Sequence, residues 1–267
     1  MVPRFRLCAL GQSFFARFLE PWRSPASPIT LGIGPGPGDP WATEGDPNTG
    51  RRRGLDWALV EVLTELGHPD LTVRPGGNVG RGERSACVSG GDKPFHVDLW
   101  NQGVRYAGGW AENLNEVGRA LIAFNVEMAS VDSMRARFSW LETDWRGPAH
   151  EAGPERYVAE AWRNLEHFLA ISPGYSQVLP LVCEAARRPE LRQLLPFTSL
   201  LTLCFSRTTG YPFTRVDPVA GPVEAGRFRV LSADRQTVLG EGNAMQAVDI
   251  LVAKLAPGHG PAIHGTA

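Results

Sequence analysis

The residues best suited to chemistry stand where an apolar run ends. Phe205-Ser206-Arg207 leaves the stretch through Leu200, Leu201 and Leu203 and passes into Thr208-Thr209-Gly210-Tyr211-Pro212. The planar guanidinium of Arg207 offers a two-pronged fork to a carboxylate or phosphate, with Ser206, Thr208 and Tyr211 as hydrogen-bonding neighbours. The end of a strand is a rigid mount for such a group. The same residues also suit a buried turn, with Arg207 paired to a helix C-terminus or to an acid elsewhere. Trp110, with Trp100, Trp140, Trp145 and Trp162, supplies aromatic surface for the apolar part of a ligand, or filling for a core.

Two other constellations carry chemistry. His150-Glu151 suits a general acid/base pair, since His titrates near neutrality and a carboxylate orients it. The milder reading is a helix start, with Glu151 at the positive end of the dipole and His150 as cap. His96-x-Asp98 falls on an expected strand, so both side chains share a face. With a distal His such as His167 or His259 the pair would resemble a two-histidine, one-carboxylate iron site. That distal ligand is not identifiable in the sequence, so no metal and no cofactor is expected.

Other catalytic signatures are missing from the sequence. It has no serine nucleophile elbow and no zinc spacing, and Cys8, Cys87, Cys183 and Cys204 are scattered. Pro35 and Pro37 interrupt the glycines of GIGPGPGDP with residues that lack N–H donors, which excludes a phosphate loop. Gly77, Gly80 and Gly82 miss the dinucleotide spacing. The formal net charge of -1 over 267 residues argues against nucleic acid or an acidic membrane surface as partner. No apolar run approaches the roughly 18 residues of a membrane span, and unpaired cysteines suit a reducing, cytoplasmic setting.

The elements that must position these groups follow from periodicity. Residues 1–53 read as a flexible tail, because Gly and Pro make up about two in five residues from Pro21 to Gly54. Leu55, Leu59, Val62, Leu63 and Leu66 recur at helical spacing, with Gly67 as the stop. Strands are expected at Ser85–Ser89, Phe95–Trp100 and Val104–Ala107, then a helix through Leu114, Val117, Leu121 and Phe124. Ser130–Phe138 reads as a short helix, Pro154 opens a long one, and Val178–Ala186 forms another. Later strands are expected at Ser199–Ser206, Arg227–Leu231 and Thr237–Gly240. A last helix follows, capped by Asn243.

This order repeats. His68-Pro69-Asp70-Leu71 matches Arg188-Pro189-Glu190-Leu191, and Gly109, Leu114 and Val117 align with Gly240, Met245 and Val248. A small sheet with one helix leaves a face uncovered, and a second copy covers it. The expected fold is therefore α+β: two related helix–sheet–helix halves with small antiparallel sheets, joined by a helical linker. The halves span residues 54–127 and 173–267, with the connection at 128–172. A duplication requires the same strand order in both.

Several segments together resemble an actinobacterial family of uncharacterised proteins described as natural product biosynthesis proteins. They are AGGWAENLNEV (Ala107–Val117), Arg135-Ala136-Arg137-Phe138, Ala149-His150-Glu151-Ala152-Gly153-Pro154 with Trp162-Arg163, RRPELRQLLPFTSLLTLCFSRTTGYPFT (Arg187–Thr214) and PGHGPAIHGTA (Pro257–Ala267). At the first of these, Ala111 and Asn113 stand where the family has Thr and Asp, which weakens the expected helix cap. The resemblance implies a role in a biosynthetic pathway and names no reaction. Three function classes remain open. One is an accessory protein that binds a small molecule or peptide of the pathway. The second is a cofactor-independent enzyme using His150, Glu151 and Arg207, and the third is an immunity-type module with a protein partner.

Overall fold

The computed structural model describes residues 54–90, 93–256 and 258–265. The expected flexible tail, residues 1–53, lies outside them. Helix α1 (Leu55–Glu65) buries Leu59 and Leu63. It ends as the sequence predicts: Gly67 takes a φ of +85°, its N–H reaches the Thr64 carbonyl, and the His68 N–H reaches that of Leu63. Glycine adopts this left-handed conformation without the penalty a Cβ would bring.

The first sheet is an antiparallel meander of β1 (Thr72–Arg74), β2 (Asn78–Arg81), β3 (Arg84–Ser89), β4 (Phe95–Asn101) and β5 (Val104–Ala111). Burial alternates along β3 and β4, so Ala86, Val88, Val97 and Leu99 face the core. Helix α2 (Leu114–Asn125) follows, and its Asn113 side chain accepts from the Glu116 N–H at 3.0 Å. The cap expected to be weak is therefore made, because an Asn oxygen serves there as well as an Asp oxygen.

The connection contains α3 (Val131–Arg137), β6 (Leu141–Glu142), α4 (Arg146–Glu151) and α5 (Pro154–Ile171). Strand β6 adds a sixth strand beside β5 through Gly108 and Gly109. Trp162 of α5 is fully buried, donates its ring N–H to the Leu194 carbonyl at 3.1 Å, and stands 6.2 Å from the Phe205 ring. After a 3-10 turn (Pro173–Val178) come α6 (Leu179–Ala185) and α7 (Pro189–Arg192).

The second sheet is also a meander in chain order: β7 (Leu195–Ser199), β8 (Thr202–Ser206), β9 (Arg215–Glu224), β10 (Arg227–Leu231) and β11 (Val238–Gly242). Helix α8 (Ala244–Lys254) closes it, with the expected Asn243 cap reinforced by Gln246 as a capping box. The fold class is α+β, and the two sheets have the same sequential order. One apolar cluster runs through both, from Leu99 and Phe124 to Trp162, Phe205, Phe228 and Leu251.

Some expectations are corrected. The single strand at Ser199–Ser206 is a hairpin of β7 and β8, turned at Leu200 and Leu201 with φ of 48° and 65°. Strand β9 was not expected. The register between α2 and α8 is one residue off, since Leu114 corresponds to Ala244 at the helix starts and Met245 is 57% exposed.

Candidate functional site

The loop after β8 is closed from within. Ser206, Thr208 and Thr209 are completely buried. The Ser206 hydroxyl donates to the Thr208 carbonyl at 2.9 Å and accepts from the Thr208 N–H at 3.1 Å. The Thr208 hydroxyl donates to the Pro212 carbonyl at 2.9 Å and accepts from the Thr214 N–H at 2.8 Å. With their hydroxyls engaged this way, Ser206 and Thr208 brace the turn rather than offer groups to a ligand.

Arg207 differs. Its N–H reaches the Thr214 carbonyl at 2.7 Å and its own carbonyl accepts from Ile263 at 2.8 Å, so its backbone is fixed on both sides. Its guanidinium has neither an acid nor a hydrogen-bond acceptor among the described residues, and Nε is shielded from solvent without a partner. The pairing to an acid or helix end that a structural arginine would show is not found there.

Three chain segments meet at this loop. The Tyr211 N–H reaches the Gln102 carbonyl at the β4–β5 turn, 2.6 Å away. Tyr211 itself is 59% exposed. The contact is close enough that a Cβ on Gly103, whose φ is +74°, would lie 2.9 Å from the Tyr211 Cβ. The C-terminal segment then runs alongside: Thr209 N–H to the Ile263 carbonyl at 2.9 Å, and Ala262 N–H to the Gln193 carbonyl at 2.9 Å. Thr208 and Ile263 form a parallel bridge.

That segment carries His264 to His150. The two rings stand 5.1 Å apart, centre to centre. His150, in the last turn of α4, is 4% exposed. Its Nδ1 lies 3.0 Å from the Tyr106 hydroxyl of β5, which in turn stands 3.0 Å from the Asn101 amide nitrogen. Its Nε2 has no hydrogen-bond partner among the described residues. Burial, with the neighbouring His264, pushes the His150 pKa down to about 4, so the ring is neutral near pH 7. Burial likewise raises the Tyr106 and Tyr157 phenols.

Glu151 faces elsewhere. Its carboxylate oxygens accept from the Val131 N–H at 3.0 and 3.2 Å, at the start of α3, and burial raises its pKa. The sequence reading put Glu151 at the positive end of α5. It serves the positive end of α3 instead, because His150 and Glu151 close α4 and α5 begins at Pro154 behind Gly153. His150 caps no helix and the two side chains do not form an acid/base pair.

The remaining candidates lie apart. Trp110 stands at the far end of β5 from the Gln102–Gly103 turn, about 23 Å along a strand rising roughly 3.3 Å per residue. The structure therefore does not bring it to Tyr211. It is 58% exposed and packs its ring 4.7 Å from His96. The Asp98 carboxylate receives Arg105 Nε at 2.7 Å, with His96 Nδ1 at 3.7 Å. Among the described residues no three His, Cys, Asp or Glu side chains cluster as metal ligands, so neither His167 nor His259 completes that pair. Burial pushes the Cys204 thiol up to about 11, which makes it a poor nucleophile. A surface depression of about 410 Å³ between Leu66, Arg119 and Phe138 shares no residue with these groups.

Sequence reasoning missed Tyr106, Gln102 and His264. Only the PGHGPAIHGTA segment signalled the last, by belonging to the resemblance while lacking any core pattern. Among the described residues, no helix is long and apolar enough to cross a membrane. No curated protein and no solved structure matches the chain. A family model described as a family of unknown function (DUF6193) matches residues 156–266, which takes in Arg207 and His264 and leaves out His150.

Proposed function

We propose that this chain binds a small acidic molecule, or the acidic end of a peptide, through Arg207 at the junction of the two sheets. The observation that carries the reading is a guanidinium without an acceptor among the described residues, mounted on a loop pinned through the backbone of Arg207, Thr209 and Tyr211 and the hydroxyl of Thr208. A fixed fork whose donors are not engaged internally loses little entropy when it binds an anion. The resemblance to biosynthesis-associated proteins supports an accessory role toward an acidic pathway intermediate. The free thiols of Cys183 and Cys204 fit a cytoplasmic setting.

Thermal unfolding in succinate, citrate, phosphate or a short carboxyl-terminal peptide, against chloride at equal ionic strength, tests the proposal. A ligand at about 100 times its Kd stabilises by about 2.7 kcal/mol. At least one of these anions should raise Tm, Arg207→Met should abolish the rise, and Arg207→Lys should keep only a small part of it. Absence of any rise, or an equal rise in Arg207→Met, would overturn the reading.

A further inference from the structure

We propose that His150 and His264 together form a two-histidine site for a divalent d-block cation of the zinc or copper class. The site is independent of Arg207 and is carried by the geometry of the two rings. Imidazole nitrogens bind zinc at about 2.0–2.1 Å, and a ring centre lies about 1.1 Å beyond its nitrogen. Two imidazoles on one tetrahedral ion therefore place their centres about 5 Å apart. The centres of His150 and His264 are 5.1 Å apart with the planes inclined at 65°.

The hydrogen bonds around His150 set which nitrogen is free. Two proton arrangements fit the 3.0 Å contact between Nδ1 and the Tyr106 hydroxyl. If Tyr106 donates to Nδ1, the Nε2–H is left buried with no acceptor. If Nδ1–H donates to Tyr106, and the Asn101 amide turns its oxygen to accept the phenol proton, only an Nε2 lone pair is left over. Buried unpaired N–H groups are rarer than underused acceptors, so the second arrangement is the better one. It presents a lone pair on a ring oriented from behind, as in metal-bound histidines held by an outer hydrogen bond.

His264 supplies the accessible side. It is exposed, yet its mount is fixed by the hydrogen bonds of Ala262 and Ile263. Two imidazoles fill two coordination positions, and the exposed His264 side is where water would complete the set. Imidazole donors favour zinc, copper and nickel over magnesium or calcium.

The test uses the full chain without a polyhistidine tag, stripped with a chelator. Zinc is titrated by calorimetry, and one equivalent of copper(II) is read by electron paramagnetic resonance. The expected result is one ion per chain with hyperfine coupling to two imidazole nitrogens. His264→Ala, a surface change that leaves the core intact, should weaken binding at least about tenfold, and Tyr106→Phe about 10–100-fold. His167→Ala, His259→Ala and Arg207→Met should leave it unchanged. The last variant keeps this outcome separate from that of the anion site. No saturable binding up to about 1 mM zinc, or binding that survives His264→Ala, would overturn the proposal.

Discussion

The two sheets share an order but not their connections. Between β2 and β3 the chain needs only Gly82 and Glu83, whereas between β8 and β9 it runs from Arg207 to Thr214. The longer connection adds closure entropy and two buried hydroxyl residues, Thr208 and Thr209, while only Phe213 of it packs against the apolar core. Each connection is bordered by an arginine. Arg84 is 7% exposed, donates to the Phe124 and Ala129 carbonyls at 2.7 and 3.0 Å, and lies 4.7 Å over the Phe124 ring. Its place is at the C-terminal end of α2, where carbonyls favour a cation. Arg207 has no such acceptors among the described residues. One residue type beside corresponding turns thus holds the fold in the first sheet and is left available in the second.

The largest test of this contrast is a pair of substitutions. Arg84→Met should cost about 3 kcal/mol, because it strands buried carbonyls and removes packing over Phe124. Arg207→Met should change stability by less than about 0.5 kcal/mol. Urea denaturation measures both. Equal losses would mean that Arg207 also serves the fold.

The second test uses pH. The His150 pKa is about 4 when folded and 6.5 in its ordinary range, so the unfolded chain binds the extra proton. Stability associated with His150 is intact above pH 6.5, falls as pH drops through that value, and is fully lost below about 4. A gap of about 2.5 pH units, at 1.36 kcal/mol each, amounts to about 3 kcal/mol at most. Denaturation with a chelator present should show this slope, and His150→Gln should remove it. Amide exchange should rise first in the Ala262–Gly265 segment, which carries His264 to His150, rather than in β1–β3.

The smallest effect concerns the first turns of the sheets. Between β1 and β2 two glycines, Gly76 and Gly77, take φ of 81° and 71°, and between β7 and β8 the same kind of positions hold Leu200 and Leu201. Leu200 is 77% exposed and makes no use of its side chain in the core. Leu200→Asn should therefore raise stability by about 0.5–1 kcal/mol, read as a higher midpoint at unchanged slope. A loss would show that the leucine side chain contributes to the fold.

These positions also show what the sequence could and could not reveal. The helices α2, α5 and α8 were legible because apolar spacing, Pro154 and Asn243 agree with one another. The β7–β8 hairpin was hidden because leucines occupy a turn that normally declares itself with Asn or Gly. Strand β9 was hidden because Pro218 and Pro222 speak against a strand, and here the neighbouring β8 and β10 impose it. Arg207 was legible by its place at a strand end. His264 was not, because its meeting with His150 depends on a tertiary path that no local pattern encodes.

The approach of the Gly258–Gly265 segment to Arg207 and His150 has a kinetic meaning. The ring contact joins residues 150 and 264, and the Tyr211–Gln102 hydrogen bond joins residues more than a hundred positions apart. Contacts of such sequence separation form only after local hairpins and helices have shortened the chain between them. On the ribosome, β1–β5 and α1–α2 emerge and can pair long before Ile263 exists, so the junction assembles after both sheets. By the same order, the junction is expected to open before either meander, which native-state amide exchange would show.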